Sequence, residues 1–256
     1  MTDWSAILRE QEHRPYPLPA APFAVTMTWH DLLFAHFEVE PRALRAAVPS
    51  SLELDLWHGQ AWVGVVPFYM SQVGPPALNQ LPWTSAFAEL NVRTYVTRGG
   101  RAGVYFFSLD AANWLAVLTA RAKFHLPYFW ARMELEHEGA TIRYRSRRWL
   151  GPPARFEASY QPSGEPYSSQ PGSLEHWLTE RYCLYTTDGA GVVYRGEIQH
   201  PPWPLQAAQA DISINEMGRP HGLSLAAERP LLHFARRLDV LAWPLERAET
   251  GGRTSR

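Results

Sequence analysis

The stretch LNVRTYVTRGGRAGVYFFSLD, residues 90–110, contains two runs of alternating side chains on either side of a pair of glycines. Successive side chains of a β-strand point to opposite faces, so each run is typical of a strand. Gly99 and Gly100 readily adopt the positive φ angles that a tight turn between antiparallel strands requires. The stretch therefore predicts a β-hairpin with strands at residues 90–97 and 103–110.

Similar patterns recur along the chain and outnumber the helical ones. Further strands are predicted at 61–70, 129–137, 140–148, 154–160, 183–188 and 191–200, and in the segments LLHFARR and DVLAWPL. Helices are predicted at 41–48, after Asp110 as N-cap, and at 172–182 with Ser173 as cap. Because the predicted hairpins are local, we expect an α+β fold whose sheet is mostly antiparallel. A barrel or two curved sheets would remove most of the strand edges.

The chain of 256 residues contains no internal repeat and no low-complexity tract. Residues 1–20 have the pattern of a short helix followed by a proline-rich arm. Residues 21–247 are predicted to form a single domain, and residues 248–256 a flexible polar tail.

Composition narrows the class of protein. The formal net charge of −1 argues against a nucleic-acid partner, and the alternating Arg143 and Arg145 are typical of the solvated face of a strand. No apolar run is long enough to span a bilayer, and the N-terminus lacks the apolar core of a signal peptide. The single Cys183 fits a reducing compartment. We therefore expect a cytoplasmic protein with neither membrane nor nucleic acid as a partner.

A polar series lies inside the otherwise apolar FAELNV segment. Glu89, Asn91 and Arg93 share one face of the predicted strand, because their spacing is two. If that face lines a barrel, Glu89 is a candidate acid or base, or a hydrogen-bonding group at the floor of a pocket. The alternatives are a structural ion pair of Glu89 with Arg93 or Arg121, or a face that is simply exposed to water.

Motifs for other chemistries are absent from the sequence. There is no HExxH, no CxxC, no GxSxG and no glycine-rich phosphate loop. The lone Cys183 lies in an apolar strand, which is typical of a core thiol. We therefore expect no metal and no cofactor.

Several longer segments resemble the YqjF-like family of bacterial proteins of unknown function. These segments are FEVEPRALRAAVPSSLELDLW (37–57), FAELNVRTYV (87–96), SLDA (108–111), ARAKFHLPYFWA (120–131), ERYCLY (180–185) and HPPWPLQ (200–206). The resemblance extends over 17–244. More distantly, the chain resembles the acetoacetate decarboxylases, which implies a cone-shaped β-barrel with flanking helices and a deep apolar pocket. It also implies a possible homo-oligomer.

The resemblance to the decarboxylases places Glu89, Arg121 and Pro127 on matching positions. Where those enzymes have the lysine that forms a Schiff base, and a second lysine beside it, this chain has Tyr128 and Phe129. An upstream arginine of the decarboxylases falls on His30. The resemblance therefore implies a related fold without Schiff-base decarboxylation. The only lysine, Lys123, is expected at the end of a helix, where solvent exposure is the commoner state.

His125 and Tyr128 flank the proline at the position of the missing amine. His125 is a candidate for proton transfer and Tyr128 for donation to a carbonyl oxygen, and packing in an aromatic cluster is the alternative for both. Trp203, in the segment HPPWP, is either one wall of the pocket or a buried aromatic of a rigid crossover.

Two hypotheses follow for the function. In the first, the protein binds a small carbonyl or carboxylic compound: Glu89, His125 and Tyr128 act on it, and Arg93 or Arg121 holds an anion. Asn91, His30 and Trp203 complete the predicted binding site. Acid–base chemistry of the lyase or isomerase type is compatible with this site. In the second hypothesis, the protein is a non-catalytic binding or structural protein that retains the fold.

Overall fold

The structure is a computed structural model and describes residues 2–76, 86–114, 117, 125–225 and 230–248. Strands account for most of these residues. In chain order they are β1 (Val25–Val39), β2 (Glu53–Leu54), β3 (Ala61–Gly74), β4 (Phe87–Arg98), β5 (Arg101–Ala111), β6 (Tyr128–Glu138), β7 (Thr141–Arg148), β8 (Arg155–Tyr167), β9 (Cys183–Thr187), β10 (Val193–Gln199), β11 (Leu205–Asn215), β12 (Leu231–Ala242) and β13 (Glu246–Arg247).

The helices are few and short. They are α1 (Trp4–Arg9), α2 (Pro41–Ala47), α3 (Leu174–Thr179) and a 3-10 helix (Arg219–His221). Pro41 begins α2 at a position where its missing N–H costs nothing, and the Ser173 side chain accepts a hydrogen bond from the His176 N–H to cap α3. Both features confirm the sequence prediction. The predicted helix after Asp110 falls largely outside the described residues, as does nearly all of the predicted tail.

The thirteen strands form one mostly antiparallel sheet in which β5 and β12 each pair with three others. The pairings close a ring of nine strands, in the order β5, β6, β7, β8, β11, β12, β1, β3 and β4. Strands β9 and β10 bridge β5 to β12 across this ring. The pairs β5–β6 and β5–β9 are parallel, which local hairpins could not predict.

Strand β4 separates two apolar clusters. Leu90 and Val92 belong to a large core that includes side chains of β7 and β8, such as Tyr144 and Phe156. On the other face of the sheet a second core contains Phe34, Phe68 and Trp203, among others. The polar series of β4 alternates with Leu90 and Val92, so it faces the second core.

Three sequence predictions are corrected by the structure. Asp110 is not a helix N-cap: it lies within β5. The segments LLHFARR and DVLAWPL form one continuous strand, β12, because both pair with β1. The region after HPPWPLQ, for which no strand was predicted, forms most of β11, whose burial alternates along its length.

Candidate functional site

Glu89 lies in the middle of the sheet, paired with Phe68 of β3 on one side and Ala111 of β5 on the other. Its side chain is 3% exposed. The hydroxyl of Tyr144 donates to the Glu89 carbonyl oxygen at 2.7 Å, which fixes the backbone at this point. The prediction that this face is exposed to water is therefore wrong, and a desolvated carboxyl group lies in the interior.

Tyr128 contacts Glu89 directly. Its hydroxyl lies 3.0 Å from Oε2 of Glu89, because the parallel pairing of β6 with β5 places Tyr128 beside Leu109. Burial raises the pKa of Glu89 from 4.5 to about 8, although the hydrogen bond from Tyr128 opposes this rise and Asp110 adds to it. Burial, with Glu89 nearby, raises the pKa of Tyr128 well above its usual range. Both groups are therefore protonated at neutral pH, and each can donate a hydrogen bond.

A buried ion pair lies next to this pair of side chains. The Arg148 guanidinium binds Asp110, with Nη2 2.7 Å from Oδ1 and Nε 3.1 Å from each carboxylate oxygen. Both side chains are fully buried, and Arg148 also covers the ring of Phe129 at 4.0 Å. This pair ties the end of β5 to the end of β7, and no sequence signal identified it.

Asn91 follows Glu89 on the same face and is 6% exposed. It lies between Val66 of β3 and Leu109 of β5, so its neighbours on the sheet are apolar. Among the described residues no hydrogen-bond partner reaches its Oδ1. A buried amide oxygen without a partner is costly, which marks this position as able to receive a ligand.

Arg93 is the third member of the series and is 7% exposed. Its guanidinium lies over the ring of Phe34 at 5.1 Å, and Nη2 donates to the carbonyl of Leu178 at 3.4 Å. The predicted ion pair between Glu89 and Arg93 does not form: within the described ranges no carboxylate lies in ion-pair distance of Arg93.

Trp203 belongs to the apolar cluster that the polar series faces. It is 2% exposed, stacks on Trp29 with a centroid distance of 5.7 Å and meets the edge of Phe34 at 4.8 Å. Trp29 in turn contacts Phe68, the neighbour of Glu89 on β3. This cluster therefore contains a connected group of aromatic rings.

Two predicted site residues lie apart from this group. His125 is exposed, its ring stacks on Tyr194, and its carbonyl accepts from the hydroxyl of Thr186. His30 lies 2.7 Å from the Ser71 hydroxyl. No described contact joins either histidine to Glu89, because a short sequence spacing does not control the direction of a side chain. Arg121 and Lys123 lie outside the described residues.

His36 is fully buried beside Arg93. Its Nε2 lies 2.8 Å from the hydroxyl of Tyr95, and its Nδ1 has no partner in the described part of the chain. Burial lowers the pKa of His36 well below its usual range, and Arg93 and His233 lower it further. His36 is therefore a neutral imidazole.

A separate cavity of about 560 Å³ lies between β11, the 3-10 helix and β1, lined by residues that include Phe37, Asp211 and Leu223. None of the predicted site residues lines it. Within the described ranges no cluster of His, Cys, Asp or Glu side chains is arranged to hold a metal ion. The helices of the described residues include none with the length and apolarity needed to cross a membrane.

Comparison with known proteins identifies the family. Residues 26–239 match DUF2071, a family described as an uncharacterized conserved protein. The chain is also 48% identical over 230 residues to the uncharacterized protein YqjF of Bacillus subtilis (strain 168), which covers 90% of this chain and 95% of YqjF. The chain belongs to the DUF2071 family.

Solved structures with the same fold include two kinds of protein. The enduracididine biosynthesis enzyme MppR in complex with pyruvate gives a TM-score of 0.64 at 11% identity, covering 91% of this chain and 93% of that one. An acetoacetate decarboxylase from Legionella pneumophila gives a TM-score of 0.61 at 13% identity, covering 95% of each chain. At these identities the comparison shows that this DUF2071 protein shares the acetoacetate-decarboxylase-like fold.

Proposed function

We propose that the interior face of β4 lines a pocket for a small carbonyl or carboxylic compound. One observation carries this proposal: Glu89, Asn91 and Arg93 are all buried on one face, yet Asn91 Oδ1 and Arg93 Nε have no described hydrogen-bond partner. An apolar core needs no such groups, and leaving them unpaired is unfavourable. The acceptor oxygens of such a ligand would satisfy Arg93 Nε, and a water molecule bound beside the ligand can donate to Asn91 Oδ1. On this proposal the nine-strand ring acts as a cone-shaped barrel around the ligand.

The expected roles follow from the protonation states. Glu89, protonated at neutral pH, donates its O–H to a carbonyl oxygen and polarises it, and Tyr128 becomes a second donor when its hydroxyl turns from Glu89 Oε2 to the ligand. When Glu89 is ionised, its carboxylate can accept a proton from the carbon next to the carbonyl, while Tyr128 donates to the enolate oxygen that results. This is acid–base chemistry of the isomerase or lyase type, and it needs no amine.

One structural relative supports a carbonyl ligand, and the residue types at the positions that the resemblance implies argue against Schiff-base catalysis. MppR, which shares the fold, binds pyruvate in its solved complex. Tyr128 and Phe129 stand where the decarboxylases have their lysines, and neither side chain can form an imine. We therefore propose binding and proton transfer, and not Schiff-base decarboxylation.

A second candidate function is binding without turnover. The hydrogen bond from Tyr128 to Glu89 favours this second function. It gives the carboxyl group a hydrogen-bond partner within the protein, so Glu89 can have a purely structural role. The two candidates differ in one measurable reaction. Enolisation exchanges the protons next to a ketone with solvent deuterium, whereas simple binding does not.

The experiment is a thermal-shift screen of the purified protein against keto acids, simple carboxylates and ketones. A compound that binds only the folded state raises the melting temperature. Glu89→Met, which removes the hydrogen-bond donor at similar size, is the test variant, and Glu136→Met is the matched control because Glu136 is exposed on β6. We expect a hit for the wild type and the control that is weakened in Glu89→Met.

A panel without any hit would contradict the pocket, as would a hit that Glu89→Met leaves unchanged. With a hit in hand, proton exchange in deuterated water, followed by NMR, tests for turnover. Exchange that rises with pH towards about 8 supports catalysis by Glu89 as a base, and its absence supports binding alone. Sedimentation of the same sample tests the proposed homo-oligomer.

A further inference from the structure

Arg93 differs from the other buried arginines. Four arginines of the described chain are less than a tenth exposed: Arg14, Arg93, Arg148 and Arg181. Three of them have a carboxylate partner: Arg14 with Glu197 at 2.7 Å, Arg148 with Asp110 at 2.7 Å and Arg181 with Asp55 at 2.6 Å. Arg93 alone of the four has no described carboxylate. A buried cation without a counter-ion is unfavourable, so this position is suited to an anion that is not part of the chain.

The surroundings of Arg93 supply no negative charge in its place. The guanidinium lies over the aromatic face of Phe34, and within the described residues its backbone acceptor is the Leu178 carbonyl at 3.4 Å. His36 beside it is neutral and has an unpartnered Nδ1. If the Tyr95 hydroxyl donates to Nε2, the Nδ1 of His36 carries a proton. Arg93 and His36 then both present donors to an incoming carboxylate.

The Arg93 side chain leaves β4 towards β1. Gly64 of β3 pairs with both His36 and Arg93, and a Cβ at Gly64 would lie 3.3 Å from Cδ2 of His36 and 3.4 Å from Cγ of Arg93. The arginine therefore crosses the sheet over the bare backbone of Gly64, and its guanidinium lies over Phe34 of β1. The Cα atoms of Glu89 and Arg93 are ~13 Å apart, as four residues of a strand are.

Between Arg93 and Glu89 the polar series has apolar neighbours. Val66 and Leu109 are the neighbours of Asn91 on the sheet, and Phe34 and Phe68 belong to the same apolar cluster as Val66. At the far end, Glu89 and Tyr128 are neutral groups with O–H donors, so they attract a ketone oxygen and do not repel an anion. The polar series thus has a cationic end at Arg93 and a neutral end at Glu89, with Asn91 and apolar neighbours between them.

Building on the function proposed above, we infer that one ligand occupies both ends. It is a keto acid whose carboxylate binds Arg93 and whose ketone oxygen accepts from Glu89 and Tyr128, with several methylene groups between them. Pyruvate and acetoacetate, in which the two groups are close neighbours, are too short to reach both ends. The ligand class is therefore the γ-, δ- or ε-keto acids.

The test is calorimetric titration of the wild type with straight-chain keto acids from pyruvate and acetoacetate through levulinate to the δ- and ε-keto acids. Two control ligands measure the affinity that apolar burial and a single polar group provide. Hexanoate lacks the ketone, and butyl methyl ketone lacks the carboxylate. We expect a γ-, δ- or ε-keto acid to bind at least about tenfold more tightly than acetoacetate and than either control. Arg93→Met should reduce the affinity for that keto acid about thirtyfold or more and leave the ketone unaffected.

The results separate this inference from the proposed function. Tightest binding of pyruvate or acetoacetate overturns the two-ended ligand but leaves the pocket in place. Equal loss of keto acid and ketone in Arg93→Met overturns the role of Arg93. Failure of every compound to bind overturns both proposals. The wild-type series needs no variant, so it decides the ligand length even if Arg93→Met does not fold.

Discussion

At the scale of single residues, the protonation of Glu89 controls the interior. Its folded-state pKa of about 8 lies above the ordinary value of 4.5, so the folded chain holds the proton more tightly than the unfolded chain. The stability that comes from this proton is complete below pH 4.5 and is lost as the pH rises through about 8. Burial of the carboxyl group is the main cause.

This gives a prediction for Glu89→Gln, which mimics the protonated acid. The free energy of unfolding of the wild type, relative to the variant, should fall by up to ~3 kcal/mol between about pH 5 and about pH 9. Urea denaturation at both pH values measures it. The control Glu136→Gln should keep a constant difference. Parallel pH curves for wild type and Glu89→Gln would show that Glu89 ionises normally.

Two buried arginines allow a paired prediction. Arg148→Met leaves the buried Asp110 without its partner and should cost about 3 kcal/mol or more of unfolding free energy. Arg93→Met leaves no described carboxylate without a partner. It should change the free energy of unfolding by less than about 1 kcal/mol, or increase it. Chemical denaturation compares the two.

The double variant Asp110→Asn/Arg148→Met is the control for the first arginine, because it removes both charges and should recover part of the loss. A large loss in Arg93→Met would mean that this arginine stabilises the fold and is not held ready for a ligand. Residues that bind ligands are commonly kept at a cost to stability.

At the scale of the elements, strand β3 leaves room for the Arg93 side chain, because Gly64 has no side chain of its own. Gly64→Ala places a Cβ against His36 and Arg93 at distances tighter than most packed contacts. We expect a loss of about 1–2 kcal/mol in stability and about tenfold weaker binding of a carboxylate ligand, because Arg93 must move. Calorimetry and denaturation measure the two effects.

Gly189→Ala is the matched control for this substitution. A Cβ at Gly189, in the turn after β9, would meet nothing within 4 Å. Its stability and ligand affinity should remain close to those of the wild type. If Gly64→Ala loses stability but binds ligand normally, the space above Gly64 serves packing and not the site.

At the scale of the whole molecule, the N-terminal segment is part of the packed structure. Gln199 of β10 donates to the carbonyls of Ile7 and Glu10, and the Arg14 guanidinium binds Glu197. Ile7 also packs against the end of β12. The predicted helix and arm therefore close one end of the sheet, where β10 bridges to β12.

Deletion of residues 1–16 should lower the melting temperature by about 5–10 °C, because it uncovers Gln199 and Glu197 and exposes apolar surface on β12. Differential scanning calorimetry measures the shift. Arg9→Ala is the control, since its only ion pair is on the surface and should contribute little. An unchanged melting temperature in the deletion would mean that the segment is dispensable for folding.

Local pattern was enough to predict the hairpins, the proline in the first turn of α2, the cap of α3 and the polar face of β4. These features depend on neighbours in sequence: alternation with period two, turn glycines and capping side chains. The sequence also excluded an imine at Tyr128, because side-chain chemistry does not depend on the fold.

Alternation does not state which face of a strand is buried, nor which distant side chains meet. Tyr128 reaches Glu89 across 39 residues, and Arg148 reaches Asp110 across 38, because β6 lies parallel to β5 and β7 lies next to β6. The same packing exposes His125, although it is only three residues from Tyr128. It also buries Arg93 without a carboxylate partner among the residues that the structure describes. The sequence alone thus determines the residue types and which residues share a face of a strand. The tertiary structure decides which charged groups are buried and which partners they have, because burial and pairing depend on contacts between remote strands.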